Sequence, residues 1–130
     1  SDEDAEPPRW RSAAFLAVSD GFIAFKARTA TLGRNNVYVD IVDGIYLGDT
    51  ADIGNLRTIV ETGMDGAVID PVLQGEEMPV AGLGIEREGL RGENLAITVT
   101  MANAEESWGG IYLTNISRGP SGSLDLLDVK

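Results

Sequence analysis

The sequence predicts a mainly β fold, an antiparallel β-sandwich or barrel of about seven or eight short strands with at most one short helix near residues 50–62. Short runs rich in Val, Ile, Thr and Tyr alternate apolar and polar side chains with the two-residue period of an extended chain. The 16 glycines are spread between those runs rather than clustered, which suits many turns between many strands. A chain of 130 residues fits one core, and Val, Ile, Leu and Ala must supply most of it because aromatic residues are few.

Residues 1–10 form an acidic arm ahead of a single β-rich domain over 11–130, since four acids and Pro7-Pro8 disfavour both helix formation and burial. Arg11–Val18 and Gly21–Leu32 are two strands joined at Ser19-Asp20-Gly21, where Asp-Gly is a strong turn signal. The second carries Phe22 on one face and Phe25 on the other, as expected of an internal strand between two layers. Gly33–Asn36 is the next turn.

Asn35–Leu47 is the stretch around which the rest is arranged. It places Val37, Val39 and Ile41 on an apolar face and Tyr38, Asp40 and Val42 on a mixed one. Asp43-Gly44 interrupts it, giving either a hairpin or a bulged strand. Gly48–Gly63 reads as the one helix, because Ile53, Leu56, Ile59 and Val60 share a side at helical spacing, although Thr58, Ile59, Val60 and Thr62 also suit a strand. Pro71 and Pro79 push the short apolar runs of residues 65–85 to a sheet edge or into loops. Glu86–Glu88 and Arg91–Glu93 read as a charged turn about Gly89-Leu90. Leu95–Met101 alternates strictly, with Leu95, Ile97, Val99 and Met101 inward. A polar loop over Asn103–Gly110, a strand over Ile111–Ile116, a turn over Arg118–Gly122 and a last strand over Ser123–Val129 complete the chain.

Composition narrows the chemistry. The absence of cysteine removes disulfides, thiolate metal sites and cysteine nucleophiles, and the absence of histidine removes the usual neutral-pH general base. Net charge is −11, and residues 40–80 hold nine acids against Arg57 alone, a field that repels phosphate backbones and argues against nucleic acid. No apolar run approaches the roughly 20 residues of a membrane span. The N-terminal residues lack a basic-then-apolar leader pattern, so the chain is read as cytoplasmic or as a mature form, with an extracellular, virion or cell-surface location favoured.

Asp40, Asp43, Asp49 and Asp52 are candidate calcium ligands, although their spacing is not that of an EF-hand loop. Glu86 with Glu88, Glu105 with Glu106, and Asp65 with Asp70 are nominal acid–base pairs for a carboxylate-based hydrolase. Trp108, beside Gly109 and Gly110, is either a space-filling core residue or a platform on which a carbohydrate ring can stack. The expectation is a non-catalytic structural or interaction protein that assembles as a homo-oligomer or polymer, such as a filament, coat or surface-layer subunit. Its interface candidates are Trp10, Phe22, Phe25 and Trp108, and its pairing edges are Arg11–Val18 or Leu95–Met101. A small module binding carbohydrate or calcium is the second reading and a hydrolase the third.

Overall fold

The computed structural model describes residues 9–19, 21–118 and 124–129, with side chains at 17–18, 21–51, 56–86 and 88–116. Eight strands run in chain order: β1 (Arg9–Ser19), β2 (Phe22–Leu32), β3 (Tyr38–Asp49), β4 (Asp52–Glu61), β5 (Val80–Arg91), β6 (Asn94–Ala102), β7 (Ser107–Arg118) and β8 (Leu124–Val129). Each half of the chain forms a four-stranded antiparallel meander, β1-β2-β3-β4 and β5-β6-β7-β8. Within each sheet every neighbour in sequence is a neighbour in space, so each sheet needs only short connections. The two sheets stack as a sandwich and remain separate rather than closing into a barrel. β1 runs close along β5, whereas β4 meets β8 at few points, so the two sides of the sandwich are unequally closed.

The core lies between the sheets. Phe22, Ala24, Ile45, Leu47, Ile59 and Val60 of the first sheet meet Ile85, Leu90, Leu95, Ile97, Val99, Met101, Tyr112 and Ile116 of the second. Ile69, Leu73 and Met78, from the connection between the sheets, plug one end of that core. The connection folds as two 3₁₀ turns, Gly66–Val68 and Pro71–Leu73, capped by the carboxylates of Asp65 and Asp70. Those caps satisfy backbone N–H groups that have no partner within so short a helix.

Several expectations are corrected. Residues 52–61 are strand β4, so the helical spacing of Leu56, Ile59 and Val60 misled; register shifts opposite Ile45-Tyr46 and Leu47–Asp49 break the two-residue period that marks a strand. β3 passes straight through Asp43-Gly44, and its bulge falls instead between Val39 and Val42, where Asp40 adopts φ 52. The face Val37, Val39 and Ile41 is consequently not core; Val37 and Ile41 are exposed, and β3 buries Ile45 and Leu47. β5 continues to Arg91 through a bulge at residues 86–89, which leaves the turn at Gly92. β7 begins at Ser107, within the stretch expected to be loop. Of the expected arm, residues 1–8 lie outside the described residues, and residues 9–10 open β1.

Candidate functional site

The pairing of β7 is lopsided. β6 runs along it from Ser107 to Asn115, whereas β8 joins only at Thr114, opposite Val129, and continues to Arg118. Residues 107–113 therefore have β6 on one side and, among the described residues, no strand on the other. Two hydrogen bonds fix which backbone groups face that open side. Asn103 N–H donates to the Glu106 carbonyl at 3.0 Å, and Ile116 N–H donates to the Glu93 carbonyl at 2.8 Å. In an antiparallel ladder bonded and non-bonded pairs alternate, so Trp108, Gly110 and Tyr112 turn their backbone groups to β6. Ser107, Gly109, Ile111 and Leu113 turn theirs outward.

The side chains along this edge are uncharged, Ser-Trp-Gly-Gly-Ile-Tyr-Leu. Ile111 and Leu113 lie on the solvent side of the sheet and are 77% and 56% exposed. Around Ile111, Gly84, Glu86, Gly89, Ala96 and Thr98 line a shallow, mainly apolar depression of ≈ 230 Å³, one wall of which is the β5 bulge. The small residues follow from packing: a Cβ at Gly84 would meet the Thr98 hydroxyl, and one at Gly89 would meet the Ala96 carbonyl oxygen at 2.9 Å.

On the opposite side of β7, the Tyr112 hydroxyl donates to Asp70 Oδ2 at 2.8 Å, and Val72 N–H donates to Asp70 Oδ1 at 3.2 Å. The Tyr112 hydroxyl, then Val72 N–H, and to a smaller extent the Trp108 indole, hold the Asp70 carboxyl below the usual carboxylate range. Burial, followed by the hydrogen bond to Asp70, pushes the Tyr112 phenol up. Trp108 is 45% exposed, so the space-filling reading of its indole is overturned. At the same end Asn103 Nδ2 donates to the Glu77 carbonyl at 3.0 Å, tying together loops that carry the exposed Glu76, Glu77, Glu105 and Glu106.

The four candidate calcium ligands are strung along β3 and the start of β4. Asp40 is exposed at the bulge, Asp43 receives the Arg28 guanidinium at 2.7 and 3.1 Å, and Asp49 is buried and accepts from Ala51 N–H at 2.9 Å. The side chain of Asp52 lies outside the described residues. At about 3.3 Å per residue the extended strand holds Asp43 and Asp49 about 20 Å apart, too far to share an ion. Among the described residues no three acidic side chains gather as ligands. Asp65 and Asp70 cap separate turns. Glu86 and Glu88 are exposed on the β5 bulge, and Glu105 and Glu106 are exposed in the β6–β7 loop.

Phe22 belongs to the core, and Phe25 packs on the other face of the first sheet against Tyr46, ring centroids 5.9 Å apart. The Trp10 side chain lies outside the described residues. Of the two expected pairing strands, Leu95–Met101 is ruled out because β6 is internal, while Arg11–Val18 is an edge that lies along β5. Sequence reasoning singled out Trp108 but missed that a strand begins beside it at Ser107, because Gly109-Gly110 reads as loop. Comparison with protein-family models, curated proteins and solved structures finds no match.

Proposed function

We propose that this chain is a non-catalytic structural or interaction protein that assembles with copies of itself, as a filament, coat or surface-layer subunit does, and that the second sheet provides the contact. The supporting observation is the uncharged edge Ser107–Leu113 with Ile111 and Leu113 standing exposed beside it. Copies carrying a charge of −11 repel one another, so association is favoured where the surface bears no charge. Open strand edges are ordinarily blunted by lysine, proline, bulges or a covering element, and this segment contains neither lysine nor proline. Other edges are better guarded: β1 and β5 lie against each other, and β4 pairs with irregular register. Lack of histidine and cysteine adds to the case for a non-catalytic role.

Light scattering on the intact protein from micromolar to millimolar concentration tests this. The mass should rise above that of one chain, and Ile111→Asp should hold it at the monomer. A wild-type monomer throughout that range overturns the reading.

Carbohydrate binding is the second reading, supported by the half-exposed indole of Trp108 beside an ionised Asp70. An aromatic face offers apolar stacking area while a carboxylate accepts hydroxyl protons. An oligosaccharide that binds the wild type by isothermal titration calorimetry, and binds Trp108→Ala at least tenfold more weakly, would support it. No response to any oligosaccharide would remove it.

A further inference from the structure

We propose that two copies of this chain exchange halves at high concentration, the first sheet of one packing on the second sheet of the other, with the turn at Gly63 as the hinge. The exchange goes beyond the surface contact proposed above and does not rest on it. Among the described residues, β1–β4 pair with one another and β5–β8 pair with one another, so the two sheets meet through core side chains rather than through a shared ladder. Each sheet is also one continuous stretch of sequence. An exchanged pair therefore keeps every strand pairing and rebuilds the same core twice, with Ile45, Leu47 and Val60 of one copy against Ile97, Val99 and Met101 of the other.

A single turn separates the stretch anchored to the first sheet from the stretch anchored to the second. Thr62 N–H donates to the Asp43 carbonyl at 2.8 Å, which fixes the end of β4 to β3. From Met64 onward the chain is tied to the second half. The Met64 carbonyl accepts from Val80 N–H at 2.8 Å, Gly66 N–H donates to the Met78 carbonyl at 2.9 Å, and Ala102 N–H donates to the Pro79 carbonyl at 3.0 Å. Between them, Met64 N–H donates to the Glu61 carbonyl at 3.3 Å, and Gly63 holds φ 94, the positive value that the third residue of a type II turn requires. An extended Gly63 would let β4 run on and carry the second half away. That opening gives up the bonds from Met64 to Glu61 and from Gly63 to the Val80 carbonyl, and the Glu61 N–H contact with the Met64 sulfur. The loss is small beside a whole core, so concentration decides. Halves joined by a short link meet at an effective concentration on the order of millimolar, and chains approaching that concentration compete with self-closure.

Refolding the wild-type chain from denaturant, at micromolar and at millimolar concentration, tests the exchange. The millimolar sample, diluted back, should retain a dimer fraction about tenfold or more above that of the micromolar sample, because separation requires the core to open. When carbon-13-labelled and unlabelled chains are refolded together, isotope-filtered NMR should show contacts between Leu47 or Val60 of one copy and Ile97 or Val99 of the other. Gly63→Val meets no atom within 4 Å of its Cβ, yet it strains the turn backbone and suits an extended hinge. It should raise the dimerisation constant by about tenfold or more. Dimers that dissolve on dilution and lack those core contacts overturn the exchange and leave the surface association standing. Persistent dimers without the contacts, or a millimolar sample that returns only monomer, also overturn it. A Gly63→Val chain that folds and stays monomeric at millimolar concentration contradicts the hinge. Should Gly63→Val fail to fold, the wild-type contacts decide.

Discussion

Two tyrosines of this protein bury a ring and hand the hydroxyl to a carboxylate. The Tyr46 hydroxyl donates to Glu61 Oε2 at 2.7 Å, and that of Tyr112 donates to Asp70 at 2.8 Å. Burial first, and the carboxylate hydrogen bond second, raise the Tyr46 phenol above its ordinary value. A raised phenol contributes stability that is complete below the unfolded tyrosine range, near 10, and is lost as pH rises through the folded value. Alkaline unfolding should therefore steepen above that range, and Tyr46→Phe should flatten the limb in melts taken across it. The acid side has the opposite sign. Asp43 is held low mainly by its hydrogen bond to Arg28, and Asp70 mainly by the Tyr112 hydroxyl. Their contributions are present above the unfolded carboxylate range and fade as pH falls through the folded values. Tyr112→Phe should move the Asp70 titration midpoint upward, read by NMR of the carboxyl carbon; a midpoint that stays put would show that the hydroxyl does not hold it. With Asp43 paired to Arg28 and remote from Asp49, calcium should shift the melting temperature no more than magnesium does.

At the scale of single elements, the strands differ in how plainly the sequence announces them, and the reason is regularity of pairing. β6 pairs with β7 from Asn94 to Ala102 without a register shift, and all four residues expected to face inward, Leu95, Ile97, Val99 and Met101, are buried. β4 pairs with two shifts against β3, so Ile59 and Val60 are both buried although adjacent, and the pattern resembles a helix more than a strand. β3 hides a bulge at Asp40, a non-glycine residue with positive φ that no local signal marks. The candidate site was half legible: Trp108, Ile111 and Leu113 stand in the sequence, but the start of β7 at Ser107 did not show, because Gly109-Gly110 reads as loop. Two substitutions test these assignments by denaturant unfolding. Leu95→Ala, in a fully buried site, should cost about 2–5 kcal/mol. Gly44→Ala, mid-strand in β3, sets a methyl against the Tyr46 ring and hydroxyl and should cost about 1–3 kcal/mol while leaving a Gly63→Ala control to report only on its positive φ. A Gly44→Ala protein as stable as the wild type would contradict the packing of Tyr46 over that glycine.

For the molecule as a whole, charge and assembly are opposed. A chain of net charge −11 repels its copies over roughly a Debye length, about 10 Å at 0.1 M salt, while the β7 edge brings no ion pair to offset that repulsion. Added salt should therefore strengthen association, whereas an interface built on ion pairs would weaken, and sedimentation at low and high salt separates the two. Absence of cysteine gives a direct geometric test, because a single introduced thiol can be spin-labelled without competition. Asn115 is exposed on β7, two residues from the exposed Leu113. Pulsed dipolar spectroscopy on labelled Asn115→Cys should then give one well-defined separation between copies if self-association uses one specific surface of the second sheet. A single narrow distance distribution is the expected result. A broad distribution, or no dipolar coupling at concentrations where the protein is dimeric, would contradict the account.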